Sequence, residues 1–208
     1  LIDYTKVIIE EADRLRNLVD RLVGSRKPPE LKEINIHEVL ERVRNLIAAE
    51  TLGRGIKLCC DYDPSLPAVL ADSEKMIQAL LNLLRNSLQA LTSPEIDHQL
   101  GEIILRTRIS RNITIASKFY KLAVAIEIID NGPGIPQEIS ETIFYPMISG
   151  RPDGSGLGLP ISHGIVTQHG GMIECDGKPG ETKFTVTIPI QRNSKFSTSK
   201  VQQVNELK

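Results

Sequence analysis

"LLNLLRNSLQAL" (residues 80–91) is a leucine-rich run interrupted by Asn82, Asn86 and Gln89. Wound as a helix at about 100° per residue, those amides share a narrow arc with Lys75 and Gln78, while Ile77, Leu80, Leu84, Leu88 and Leu91 take the opposite side. The segment therefore has one face for a core and one made of amides. A solvated face is ordinarily built from Glu, Lys and Arg, because asparagine in mid-helix has poor propensity and competes for backbone hydrogen bonds. Asn82 and Asn86 are thus either plain surface or a pair of neutral oxygens turned toward a bound ion or ligand.

Around this helix, which starts near Asp72 and Ser73, the chain is a mixture of strands and helices. "INIHEVLERVRNLIAAETLGRG" (34–55) is an amphipathic helix entered at Asn35, with Glu38 placed for a variant of the capping box; this also accounts for His37. "IKLCCDYDP" (56–64), "EIILRTRI" (102–109) and "YKLAVAIEIID" (120–130) read as strands. "GSGLGLPISHGIVTQHGG" (154–171) passes from glycines into a helix with Pro160 in its first turn, where proline is tolerated. His163 and His169 read as surface residues of that helix. "MIEC", "DGKPG" and "KFTVTIPI" form a closing hairpin. Because strands and helices do not alternate strictly, the expected class is α+β, a two-layer α/β sandwich with a sheet on one side and helices on the other.

Residues 1–23 place Leu1, Ile8, Leu15 and Leu22 at heptad spacing, with Tyr4 and Leu18 between them, which predicts a helix with a seam for another helix. Gly24 and "SRKPPE" follow, so 24–33 is expected to be a linker, 34–190 the main domain and 191–208 a polar, flexible tail. The opening heptads imply a dimer, or a piece cut from a longer protein. Net charge is −1 with dispersed basic residues, which disfavours nucleic acid as a partner. No apolar run reaches the ~20 residues of a membrane span, and no signal peptide opens the chain, so a cytoplasmic location is expected. Cys59, Cys60 and Cys175 lack zinc spacing and suit reduced thiols.

Two further stretches carry chemistry. In the strand ending at Asp130, Tyr120, Leu122, Val124, Ile126 and Ile128 share the parity of that aspartate, so its carboxylate falls on the apolar face. An inward carboxylate needs a donor. Asp-Asn-Gly turn chemistry supplies one explanation, and the amino group of a base supplies another, with Gly132 and Gly134 allowing a flat ring close to the backbone. "GSGLGL" puts Gly154, Gly156 and Gly158 at a helix entrance, where free N–H groups favour phosphate; it is neither a Walker loop nor a dinucleotide fingerprint. Thr182 shares the parity of Phe184, Val186 and Ile188, which points its hydroxyl inward near Asp130 or makes it an ordinary strand threonine.

In order, "NLLRN", "DNGPG", "IFYP", "GSGLGL" and "GETKF" resemble the N, G1, F, G2 and closing threonine boxes of the ATP-binding domain shared by histidine kinases, gyrase, Hsp90 and MutL. The resemblance implies the GHKL (Bergerat) fold with ATP and Mg²⁺ as ligands. It implies that Asn86 coordinates Mg²⁺ with Asn82 assisting, both as catalytic residues. Asp130 would receive the adenine amino group, Thr182 would support the adenine edge, and the amides of Gly156, Leu157, Gly158 and Leu159 would hold phosphates. Gly132, Gly134, Ile135 and Ser155 complete the implied nucleotide set. Residues 135–155 become a lid, hinged at Gly150 and Gly154, with Arg151 as a phosphate contact and Phe144 as a latch. Gln89 stands where many relatives have a basic residue. ATPases of this family carry a glutamate at the position of Asn82; an asparagine cannot be a general base, so phosphoryl transfer is favoured over hydrolysis. An ATP-driven conformational switch and a degenerate nucleotide-binding module are the alternatives.

Among histidine kinases, "YTKVIIEEADRLRNLVDRL", "DYDPSLP", "LRNSLQAL", "GEIILRTR" and "FYPMISGR" resemble the nitrogen-regulation family of NtrB. That resemblance makes residues 1–23 the second helix of a homodimerising hairpin, and implies the response regulator NtrC and the PII signal protein as partners. His37, His98, His163 and His169 all lack the H-E-x-x-N-P context of a phosphoacceptor, so the acceptor is expected on a helix outside this chain.

Overall fold

The computed structural model describes residues 28–92, 101–148 and 156–190. The helix expected over 1–23, the first four residues of the linker (24–27) and the tail over 191–208 lie outside the described residues. Strand β1 (Lys32–Ile34) is followed by helix α1 (Ile36–Gly53), β2 (Lys57–Asp61), β3 (Val69–Ala71) and helix α2 (Ser73–Ala90). Then come β4 (Glu102–Ile115), β5 (Lys118–Asp130), the one-turn helix α3 (Gln137–Ser140), α4 (Gly158–Gln168), β6 (Met172–Lys178) and β7 (Glu181–Pro189).

Five strands form one sheet in the order β2-β4-β5-β7-β6, parallel between β2 and β4 and antiparallel elsewhere. The mixed α+β layer expected from the order of elements is therefore present. Its buried face is built from the alternate residues of each strand: Ile103 and Leu105, then Val124, Ile126 and Ile128, then Phe184, Val186 and Ile188. These pack against Val39, Leu40, Val43 and Ile47 of α1, Met76, Leu80, Leu83, Leu84 and Leu88 of α2, and Ile165 and Val166 of α4. The opposite face carries charges: Asp61 accepts from Arg106 at 2.8 Å and Arg108 at 2.6 Å, and Arg106 lies 3.6 Å from Glu127.

Both long helices start where the sequence predicts. Asn35 caps α1 through the His37 amide, and Asp72 caps α2 through the amides of Glu74 and Lys75. Strand β1 takes up residues 32 and 33 of the stretch read as linker and pairs antiparallel with β3. Each of these strands has only three residues, too few for a period-2 pattern to stand out. Among the described residues no helix is long and apolar enough to cross a membrane.

Candidate functional site

Asp130 is the last residue of β5 and is only 2% exposed. Its cross-strand neighbour on β7 is Thr182, 4% exposed, which pairs in turn with Gly177 of β6. The inward placement of both side chains follows from the parity that the strands share. Asp130 Oδ1 accepts the Gly132 amide at 3.0 Å, so the turn-capping role exists and engages that oxygen.

The glycines after Asp130 have an intramolecular reason. A Cβ on Gly132 would stand 2.7 Å from Asp130 Oδ1. Gly134 has φ +87, and a Cβ there would lie 2.7 Å from the carbonyl carbon of Lys178. The loop thus crosses directly over the β6–β7 turn, tied to it by the Gly180 amide donating to the Gly132 carbonyl at 2.9 Å. Ile135 packs partly buried against the core and lies close enough to Gly177 that a Cβ there would meet it at 3.0 Å. Cys175, read from the sequence only as a reduced thiol, belongs to this wall. Its pKa is pushed up to about 12, first by burial and then by the charges of Asp130 and Asp176.

A second group of sequence-predicted site residues lies along the seam between α2 and α4. Leu80, Leu84 and Leu88 are buried while Asn82 and Asn86 are half-buried and Gln89 is exposed, so the two-faced helix is as the leucine spacing predicts. Asn82 Nδ2 donates to the carbonyl oxygen of Gly158, the first residue of α4, at 3.4 Å. Ser162 Oγ donates to Ala79 O at 3.0 Å and to Gly158 O at 3.1 Å. Leu157, at the cap of α4, makes no side-chain capping bond, so no side chain of the cap covers the helix's first amides. Leu157 itself is buried and Leu159 half-buried.

The described residues on either side of 149–155 meet one another. Met147 N donates to Gly156 O at 3.1 Å, and both residues hold positive φ, 67 and 62. A Cβ on Gly156 would come within 2.7 Å of the Met147 backbone, so only glycine fits that crossing. Phe144 lies against His163 of α4, with ring centroids 5.5 Å apart and planes tilted by 36°. Gly150, Arg151, Gly154 and Ser155 lie outside the described residues.

His163 is exposed, as read from the sequence, but His169 is not a surface residue: it is 5% exposed. At the C-cap of α4 its ring turns toward Asp72, accepting the Asp72 amide on Nε2 at 3.0 Å and bonding Ile165 O through Nδ1 at 2.7 Å. Helical periodicity assigns no face to a residue one step beyond the last turn.

Residues 71–192 match the family described as histidine kinase-, DNA gyrase B-, and HSP90-like ATPase. The chain is 50% identical over 192 residues to the sensory histidine kinase/phosphatase NtrB of Escherichia coli O157:H7, an alignment covering 92% of this chain and 53% of that protein. It therefore spans about half the length of that relative. In three dimensions it is similar to the catalytic domain of histidine kinase ThkA, with a TM-score of 0.62 and 27% identity over 77% of this chain and 95% of that one. It also matches ThkA in a complex with the response regulator protein TrrA, with a TM-score of 0.65 and 26% identity, covering 90% and 51% of the two chains.

Proposed function

The chain belongs to the NtrB family of sensory histidine kinases/phosphatases, within the histidine kinase-, DNA gyrase B- and HSP90-like ATPases, and on that premise we propose that it is the ATP-binding catalytic part of a nitrogen-regulation sensor kinase. It binds Mg-ATP and transfers the γ-phosphoryl group to a histidine on a helix outside this chain, for relay to the aspartate of an NtrC-like response regulator. The ThkA–TrrA complex supports a response regulator as partner, and family membership supports PII as the regulator of the kinase–phosphatase balance. In the domain organisation that accompanies this reading, residues 1–23 dimerise, 24–33 link, 34–190 bind nucleotide and 191–208 form a tail.

Two features carry the reading: buried Asp130 and Thr182 side by side on the sheet, and Asn82 bonded to Gly158 at the uncapped head of α4. Adenine donates its amino group to Asp130, with Thr182 beside it. Phosphates lie against the amides of residues 156–159, with Ser155, Gly154 and Arg151, all outside the described residues, as the further phosphate contacts that the resemblance implies and Gln89 at the margin. Ile135, Gly132 and Gly134 line the base side, and Phe144 holds the lid to α4.

Among the described residues no three His, Cys, Asp or Glu side chains gather to hold a metal ion. The donors that remain are amides, which fit a hard cation sharing its shell with phosphates and water: Asn86 would hold Mg²⁺ with help from Asn82. Bound there, the ion supplies neutralisation of phosphate charge. Asn82 is no general base, so that position of α2 activates no water, and an entering imidazole nitrogen is the better nucleophile. The P–O bond to ADP breaks as the P–N bond forms.

The test is to incubate the chain with γ-labelled Mg-ATP and a separate helical hairpin carrying the acceptor histidine. Acid-labile, base-stable label on the hairpin is the expected result. Free phosphate released steadily, with the hairpin unlabelled, would instead make the protein an ATPase switch.

A further inference from the structure

α2 and α4 run antiparallel and are joined by a ladder of side-chain hydrogen bonds. Asn82 meets Gly158 at the nucleotide end, Ser162 meets Ala79 midway, and Lys75 Nζ donates to Gln168 Oε1 at 3.3 Å. The far rung is His169 to the Asp72 amide. This rung differs from the others because its chemistry admits one protonation state. Ile165 O is a carbonyl and can only accept, so Nδ1 carries a proton. The Asp72 N–H can only donate, so Nε2 must be bare. A ring flip would set carbon against both backbone groups, and an imidazolium would set N–H against N–H.

We propose that His169 is a positioning residue: as the neutral Nδ1–H tautomer it fixes the register of α2 against α4, and so the opposition of Asn82 to the head of α4. The charged side chains on the element it grips do not compete for Nε2. The Asp72 carboxylate accepts the amides of Glu74, Lys75 and Glu30, and Lys75 is engaged with Gln168. The same aspartate thus caps α2 with its side chain and anchors it with its main chain. A shift at this end carries along the helix, because a packed helix moves as a rigid element rather than bending at one residue. The role in nucleotide binding rests on reading this seam as the nucleotide site; the register itself does not.

The experiment compares the wild type with H169Q, whose amide offers both N–H donors and an acceptor oxygen, and H169L, which offers neither. Long-range ¹H–¹⁵N spectra of the imidazole should show a protonated Nδ1 and a bare Nε2 in the wild type without ligand. Amide resonances of Asn82 and Gly158 should move in H169L and return toward wild type in H169Q. Mg-ATP affinity should fall roughly tenfold in H169L and by less than about threefold in H169Q, the scale of one buried backbone donor left unpaired or satisfied. An Nε2–H tautomer would overturn the proposal. So would unmoved Asn82 and Gly158 resonances in a folded H169L, or equal loss of affinity in both variants. A wild type that binds no nucleotide, with the spectra as expected, would instead count against the reading of the site.

Discussion

Asp130 and Thr182 sit opposite one another on adjacent strands β5 and β7, both buried. A carboxylate and a hydroxyl are thereby held side by side at the end of the sheet, where the chain leaves β5 for the glycine loop. Asp130→Asn keeps Oδ1 to receive the Gly132 amide, so the turn should survive. ATP binding should weaken by about 1–3 kcal/mol, because a charged acceptor becomes neutral. Titration with ATP and GTP checks this: equal affinity of the wild type for adenine and guanine nucleotides would remove the role given to Asp130.

Asn86 is half-buried on the amide face of α2, outside the leucine core. Asn86→Ala should therefore leave the fold intact and abolish the Mg²⁺-dependent part of ATP binding. Titrations in Mg²⁺ and in chelator, with a thermal melt of each protein, separate the two effects. An ATP titration identical to wild type would rule out Asn86 as a metal ligand.

Gly134 adopts φ +87, with the Lys178 and Pro179 backbone where a Cβ would go. Gly134→Ala should cost more than about 1 kcal/mol, because it adds a strained backbone to a clash that no rotamer relieves. For a domain of this size that is a fall of at least ~2–4 °C in melting temperature. By contrast Gly180, also at positive φ, has open space at the Cβ position, so Gly180→Ala should show conformational strain alone and a smaller fall.

Burial acts to raise the pKa of Asp72, but amide donors from Glu30, Lys75 and Glu74, with the charge of Lys75, more than offset it and hold the carboxyl below its usual value. A depressed folded-state pKa stabilises the protein fully above the unfolded-state value, and that stability is lost as pH falls through the folded-state value. Asp72→Ala should therefore cost about 1 kcal/mol at neutral pH, the worth of a helix N-cap, with the difference from wild type shrinking in acid. Asp72→Asn should keep most of the cap, and denaturant melts across pH check both.

Much of the site was legible because its determinants are local. The two-faced pattern of α2, the alternation that turns Asp130 and Thr182 inward, and the glycines ahead of α4 are all properties of a single helix, strand or turn. The three-residue strands β1 and β3 were not visible, since so short a pairing carries no periodicity and exists only because residues 32–34 and 69–71 meet. His169 was misplaced for a related reason: beyond the last turn of α4, its direction depends on where the cap of α2 lies.

The sequence by itself determined which residues face inward on each element, because side-chain direction follows from backbone geometry of period 3.6 or 2. Only the tertiary structure decided what those faces meet. It placed Asp130 beside Thr182 and Cys175, set Asn82 against Gly158, and gave Gly132 and Gly134 their neighbours. It also buried His169 between two backbone groups that admit a single tautomer. Those contacts join residues tens of positions apart, and burial makes them decisive: a polar group removed from water must find its partner within the fold.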